Sequence, residues 1–329
     1  MSKASSLPYK LRPNKAVDRE LFLGLLARLA ASLKLEQYRY VGLGGPFLED
    51  FRLIHARLAI KDMVSVEMEE DVHLRQKFNS PINCVTFVHS TLDDYLDSTD
   101  FEGPTIIWLD YTDPGAITDQ VERFARTIGQ VPLGSILRIT LNANPASLGT
   151  PSREETGAKV GDLTDAGIKK TIQEWRLDRF RERLGVLFPV DLTAERMTYK
   201  TYGKTVLKVL NLAVQREMLS HKDRKVVWSL TTHYADGQPM ATATLVVCRP
   251  ENADTEKMIN EWEYFSSPDD PLLLDMPALS TLERLTMEQS IDPKVCLGFN
   301  LPKTDMDVDP FIAFQKFYRV FPHFSRVEL

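Results

Sequence analysis

Residues 38–69 read YRYVGLGGPFLEDFRLIHARLAIKDMVSVEME. Apolar and aromatic residues climb to three glycines, Gly42, Gly44 and Gly45. An amphipathic run follows, and then a short apolar strand that ends on Glu67. The order is strand, turn, helix, strand. Glycine at the first strand-to-helix turn lets the backbone approach a ligand closely, because no Cβ intervenes. The helix that follows adds a favourable dipole at its start.

Outward from this stretch the same alternation continues. CVTFVH is a third strand and TLDDYL a short helix; TIIWLDY is a fully apolar fourth strand. A helix follows at 116–128 and a fifth strand at SILRITLN. Short apolar runs alternating with amphipathic segments mark βαβ units and a buried parallel sheet, so the fold class is α/β. Before this unit, LRPNKAVDRELFLGLLARLAASLKL predicts a helix that starts near Pro13 and Asn14. Beyond it, TPSREETGAKVGDLTD predicts a loop, and two helices follow at IKKTIQEWRLDRFRERLG and TYGKTVLKVLNLAVQREML. VVWSLTTHYADGQPMATATLVVC then predicts an antiparallel hairpin around Asp236-Gly237. Residues 251–329 predict an extension of helices and loops packed on the core, as residues 1–35 predict a helical extension at the other end.

The 329 residues, 43% hydrophobic, suffice for one large α/β domain with extensions. A net charge of −6 argues against a globally basic nucleic-acid binder. Cys84, Cys248 and Cys296 are odd in number and widely spaced, which fits free thiols in a reducing cytoplasm. The six histidines show no metal-binding spacing. Neither a secretory signal nor a run of ~20 apolar residues is expected, so no membrane association is predicted.

The glycine turn admits two cofactor readings. Dinucleotide-binding proteins carry GxGxxG and set a pyrophosphate on the helix start. Here the third glycine position is Phe47, which denies the close helix packing that glycine permits. S-adenosylmethionine (SAM) has no phosphate, and a GxGG loop suffices for it. Glu67, 25 residues past Gly42, stands where a carboxylate can chelate ribose hydroxyls in either case. Met68 follows, placed to pack on an adenine face, and His89-Ser90-Thr91 occupies the turn past the third strand.

VGLGG, SVEME, HSTLDDYL and IIWLDYTDPG, with the hairpin after strand five, resemble the class I SAM-dependent methyltransferase superfamily over roughly Tyr38 to Cys248. RPNK near the start, with YVGLGGPFLEDFRLIH and IIWLDYT, is similar to bacterial O-methyltransferase-like proteins of unestablished substrate. The resemblance implies a Rossmann-like, mostly parallel seven-stranded sheet with a C-terminal antiparallel hairpin. It implies a SAM site at Gly42, Gly44, Gly45, Phe47, Glu67, Met68, Ser90, Thr91 and Asp110. Two positions depart from the superfamily's pattern: Tyr40 and Ser90 stand where acidic residues are frequent.

Ligands of open α/β sheets bind at the carboxyl ends of the strands. The fourth strand ends in Leu109-Asp110-Tyr111-Thr112-Asp113-Pro114-Gly115. Base-directed N-methyltransferases often carry (N/D)PP(Y/F) there, so DYTD does not support base methylation. Catechol-type enzymes place a metal ligand there and need an Asp-Asn pair after strand five. Asn142-Ala143-Asn144 offers amides instead, a poor match to a hard divalent ion. Methyl transfer needs alignment above all. Asp110 is the candidate base or acceptor-orienting group, and Tyr111 a pocket wall. Asp113 is the expected cap of the next helix, and Trp108 a buried strand residue.

Other features divide between function and plain structure. Arg12, Asn14 and Lys15 either fold over the cofactor and hold its carboxylate or form an exposed basic helix start. Lys169, Lys170, Arg176, Arg179, Arg181 and Arg183 interleave with acids, as on a solvated helix. FQKFYRVFPHFSRV mixes aromatics with Lys316, Arg319 and Arg326, and core docking explains it better than base stacking. The leading expectation is an O-directed SAM-dependent methyltransferase with an unknown methyl acceptor. The alternatives are a methyltransferase-fold regulatory subunit that works with a protein partner, and an NAD-dependent oxidoreductase.

Overall fold

Strand β1 (Arg39–Gly42) lies inside a sheet whose order is β3-β2-β1-β4-β5-β7-β6-β8. The computed structural model describes residues 12–80, 82–152, 164–290, 292–304 and 306–322. Strands β2 (Asp62–Glu67), β3 (Val85–His89), β4 (Thr105–Asp110) and β5 (Ile136–Asn142) join β1 in parallel pairing. The hairpin of β6 (Lys225–Asp236) and β7 (Gln238–Cys248) then adds two long strands, with β7 antiparallel to β5. Gly237 turns it at φ +82°, a conformation that costs glycine nothing.

β4 is buried from Thr105 to Leu109, so both faces of the sheet are covered. Ile106 and Trp108 enter one core with Tyr40, Phe51 and the leucines of α1 (Pro13–Leu29) and α2 (Glu49–Leu58). Ile107 and Leu109 enter the other, formed with α4 (Leu92–Ser98), α5 (Ile117–Gln130), α6 (Asp165–Leu184) and α7 (Tyr202–Met218). Helix α3 (Glu70–Asn79) links β2 to β3. Trp108 is a buried strand residue as expected, and its indole N–H donates to Thr140 Oγ1 at 2.9 Å.

Among the described residues the sheet has eight strands, not seven. Leu272–Leu274 forms β8 and pairs in parallel with Thr232–Tyr234, which covers the outer edge of β6. An open edge invites pairing, and β8 pairs with it at three positions. The C-terminal segment therefore holds a strand besides its helices α8 (Ala253–Asn260), α9 (Thr281–Gln289), α10 (Pro293–Leu297) and α11 (Pro310–Phe317). Phe311, Phe314, Phe317 and Phe321 are buried in the same core as the α1 leucines, so these aromatics dock rather than stack on bases. Arg326 and most of the 150–165 loop lie outside the described residues.

A buried ion pair fastens α1 to the sheet. Arg138 of β5 is fully buried, and its Nη2 donates to Asp18 Oδ2 at 2.5 Å. Its Nη1 donates to Thr244 Oγ1 at 2.8 Å, and the guanidinium lies over the rings of Phe22 and Trp108. Thr232 and Thr242 donate to the other oxygen of Asp18, at 2.7 and 3.0 Å. Among the described residues no helix is long and apolar enough to cross a membrane.

Candidate active site

Gly42 ends β1 with Ser65 of β2 on one flank and Trp108 of β4 on the other. Glu67 and Asp110 each stand two residues further along those strands, so the two carboxylates flank the glycine turn. The glycines have different duties. A Cβ on Gly44 would lie 2.3 Å from Leu48 Cδ2 and 2.6 Å from Ser65 Oγ, so the protein itself fills that space in seating the start of α2 on β2. A Cβ on Gly42 would lie 2.9 Å from the Tyr40 hydroxyl. Gly45 sits at φ +52°, and a Cβ there would meet nothing within 4 Å. Leu48, at φ +51°, closes the turn by donating its N–H to the Gly44 carbonyl at 3.1 Å.

On the β2 and β3 side, Glu67 Oε1 accepts the Glu69 N–H at 2.9 Å. Its carbonyl accepts the Ser90 N–H at 3.1 Å, and His89 Nε2 donates to the Met68 carbonyl at 3.0 Å. These bonds tie the two post-strand turns together. Met68 is 61% exposed and Phe47 45%, with the Arg75 guanidinium 4.9 Å from the Phe47 ring centre. Thr91 caps α4, accepting the Asp94 N–H at 3.1 Å and donating to its carboxylate at 2.6 Å. Its hydroxyl is thereby occupied, while Ser90 is half-buried in the turn before it.

On the β4 and β5 side, Asp110 is partly buried, and Lys15 Nζ lies 3.7 Å from its Oδ2. Tyr111 turns the other way. Its ring packs against the helix-side core, and its hydroxyl lies near Asp93 and Arg123, where burial pushes its pKa well above the ordinary tyrosine value. Asp113 does not cap α5. Its Oδ1 accepts the Gly115 N–H at 2.8 Å, and α5 starts after Ala116 with no side-chain cap, because DPG forms a tight turn first. Asn142 Oδ1 accepts from the Asn144 N–H at 2.9 Å and from Gln238 Nε2 at 3.2 Å, so it braces the loop after β5. Helix α6 lies across these loops. Arg183 donates to the Pro114 and Ser147 carbonyls, and Arg176 to that of Gly149. The exposed face of α6 carries the expected mixed pairs, such as Arg181 with Asp178 at 2.6 Å.

The start of α1 completes this edge. It is not an exposed basic segment, for Asn14 is buried and the Lys15 side chain is 13% exposed. Asp236, at the tip of the hairpin, accepts the Asn14 N–H at 3.2 Å, the Asn14 side-chain amide at 3.1 Å and the Lys15 N–H at 2.8 Å. It thus caps the helix from 222 residues away. Burial pushes the Asp236 carboxyl up, and these bonds pull it partly back. Asn14 also donates to the Ala235 carbonyl at 2.8 Å and accepts the Met276 N–H, just past β8, at 2.7 Å. Sequence reasoning missed this junction. The Asp236-Gly237 pair signals a turn, and nothing in it reveals that its carboxylate holds a distant helix.

A sequence profile of the family described as "Putative O-methyltransferase" matches residues 7–329. The chain belongs to this family. No curated protein matches it. Among solved structures, the chain of this O-methyltransferase family is similar to the plantazolicin methyltransferase BamL, at 10% identity over 72% of this chain and 87% of that one, TM-score 0.37. It is also similar to Trm1 from Pyrococcus horikoshii, at 13% identity over 76% of this chain and 58% of that one, TM-score 0.40.

The sheet order itself, with an antiparallel hairpin after five parallel strands, is the class I methyltransferase topology expected from the sequence. The family member's site also fits SAM in its chemistry. The open side of Gly45 leaves room for a ligand against bare backbone, and exposed Met68 and Phe47 offer apolar surface to a base. A dinucleotide fits worse. Glu49 and Asp50 occupy the first turn of α2, where a pyrophosphate would have to sit. Both are paired with Arg19, whose guanidinium is therefore engaged.

Proposed function

We propose that this protein transfers the methyl group of SAM to a hydroxyl of an acceptor, at the carboxyl ends of β1, β2 and β4. The observation that carries this reading is the placement of Glu67 and Asp110 on the two strands flanking the glycine turn. Glu67 chelates the ribose hydroxyls, and Met68 and Phe47 cover the adenine. Ser90 meets the adenine edge, with Thr91 holding that turn in shape. Gly45 brings bare backbone to the ligand, while Gly42 and Gly44 let the turn pack closely on Tyr40, Leu48 and Ser65. SAM supplies a sulfonium-activated methyl, so the chain's task is alignment. Asp110 orients the acceptor hydroxyl and takes up its proton. Tyr111 contributes by packing, from the helix side. Residues 36–250 carry the cofactor, and the 1–35 and 251–329 extensions close the acceptor side, in a cytoplasmic protein.

Calorimetry with SAM and S-adenosylhomocysteine (SAH) tests the reading. The native chain should bind both in the micromolar range, and Glu67→Ala should lose at least about tenfold, the loss expected for a charged hydrogen-bonding group. Failure of the native chain to bind either ligand would refute it.

A further inference from the structure

At the carboxyl edge of the sheet stands Lys15, a cation whose placement the site described so far does not use. Lys15 sits in the first turn of α1, and its side chain is largely buried beside Asp110. Its backbone has little freedom. The Lys15 N–H is held by Asp236, and the preceding Asn14 is bonded to β6 and to the segment after β8. Arg19 and Arg138, cations of the same layer, are engaged with Asp50 and Asp18. Three separate parts of the chain thus converge to present one ammonium at the end of β4.

We infer that Lys15 anchors the α-carboxylate of the cofactor's methionine moiety. The assignment rests on the SAM reading above and follows from the spacing of the strands. Glu67 and Asp110 lie on strands either side of β1, two inter-strand steps apart, or ~10 Å across the sheet. A ligand whose ribose is held on the β2 flank must carry its amino-acid end across Gly42 to the β4 flank, where Lys15 stands. That end bears a carboxylate, and an ammonium is its complement. Tyr40 favours the same placement. It puts a neutral hydroxyl beneath Gly42, and burial with the nearby carboxylates of Asp50 and Asp110 pushes its pKa well above the ordinary value. A tyrosine hydroxyl is uncharged at neutral pH in any case, so no charge stands under the turn to repel a carboxylate. Asp110 then has a second role, holding Lys15 in place through the ion pair.

The experiment compares three probes on the full chain by calorimetry: SAH, decarboxylated SAM and 5′-methylthioadenosine. The native chain should prefer SAH to the two probes that lack the carboxylate. Lys15→Met keeps most of the apolar stem. It should weaken SAH about tenfold or more, with the other two changed less than about twofold. Lys15→Arg should keep the preference for SAH. The preference of the native chain needs no variant, so a poorly folding Lys15→Met does not block the test. Equal affinity of the native chain for SAH and decarboxylated SAM would overturn the assignment, as would an equal loss for all three probes in Lys15→Met. If 5′-methylthioadenosine binds and depends on Glu67 while Lys15→Met leaves SAH unchanged, the anchor fails and the cofactor reading stands. If no probe binds the native chain, both fall.

Discussion

Asp18→Asn should destabilise the protein by about 3–5 kcal/mol, the cost of leaving a buried charge without its partner. Asparagine keeps the size of the side chain and, with its oxygen in the Oδ1 position, the acceptor for both Thr232 and Thr242. It removes the charge that faces Arg138, whose guanidinium has no route to water because the residue is fully buried. The rings of Phe22 and Trp108 then remain its main electrostatic partners, and a desolvated cation–π contact is worth only ~2 kcal/mol. An unfolding entropy of ~2.1 cal/mol/K per residue gives about 0.7 kcal/mol/K for 329 residues. The expected fall in Tm is therefore about 4–7 °C by calorimetry or circular dichroism. A second arm isolates the pair. Replacing both partners, Asp18→Leu with Arg138→Met, should cost less than the two single changes added together, because no charge is left stranded. A drop in Tm below about 2 °C for Asp18→Asn, or strict additivity in the cycle, would refute the view that this pair locks α1 to the sheet.

Further outcomes follow from the glycine turn and the hairpin. Gly44→Ala must push against Leu48 and the Ser65 hydroxyl, so it should lose about 1–3 kcal/mol by overpacking, measured by urea unfolding. Gly45→Ala meets no atom and pays only for the left-handed backbone, about 1–2 kcal/mol, while its methyl would intrude on the ligand side and weaken SAH binding more than Gly44→Ala does. His233, buried on β6, has its pKa lowered to about 4 by burial, with Lys204 adding to the effect. The unfolded chain takes up that proton first, so stability present above pH 6.5 is lost as pH falls towards 4, by about 3 kcal/mol for this residue. His233→Leu should flatten the Tm profile over that window, and an unchanged slope would count against the burial of a neutral imidazole.

The fold was legible because its signal is local and repeated. Each of the five parallel strands is a short apolar run, and each lies between amphipathic segments, so period alone reports the βαβ order. Asp236-Gly237 reported the hairpin for a similar reason, since a turn's chemistry lies within the turn. β8 was not legible. Its three leucines follow a proline, and three residues carry no period; only the open edge of β6 makes them a strand. The site was legible in part for the same physical cause. Gly42, Glu67 and Asp110 each stand at the end of a readable strand, so parallel register brings them together. Tyr111 shows the limit. Adjacent residues at a strand end point to opposite sides, and the sequence alone did not say which side faced the turn.

What sequence proximity hides most completely is the closing of the sheet's carboxyl edge. Asn14, Asp236 and Met276 belong to the N-terminal segment, the hairpin and the C-terminal segment, and they meet in one hydrogen-bonded knot. A parallel sheet leaves its carboxyl edge open to solvent unless something covers it, and here the two ends of the chain supply part of the cover. The continuity of one core from the α1 leucines to Phe321 has the same consequence. The N-terminal helix cannot be removed without exposing the aromatics of the C-terminal segment. Nor can the C-terminal segment be removed without unpairing β6 and releasing Asn14. The place of Lys15 at the end of β4 thus depends on both the hairpin, through Asp236 at its N–H, and the C-terminal segment, through the bond of Asn14 to the Met276 N–H.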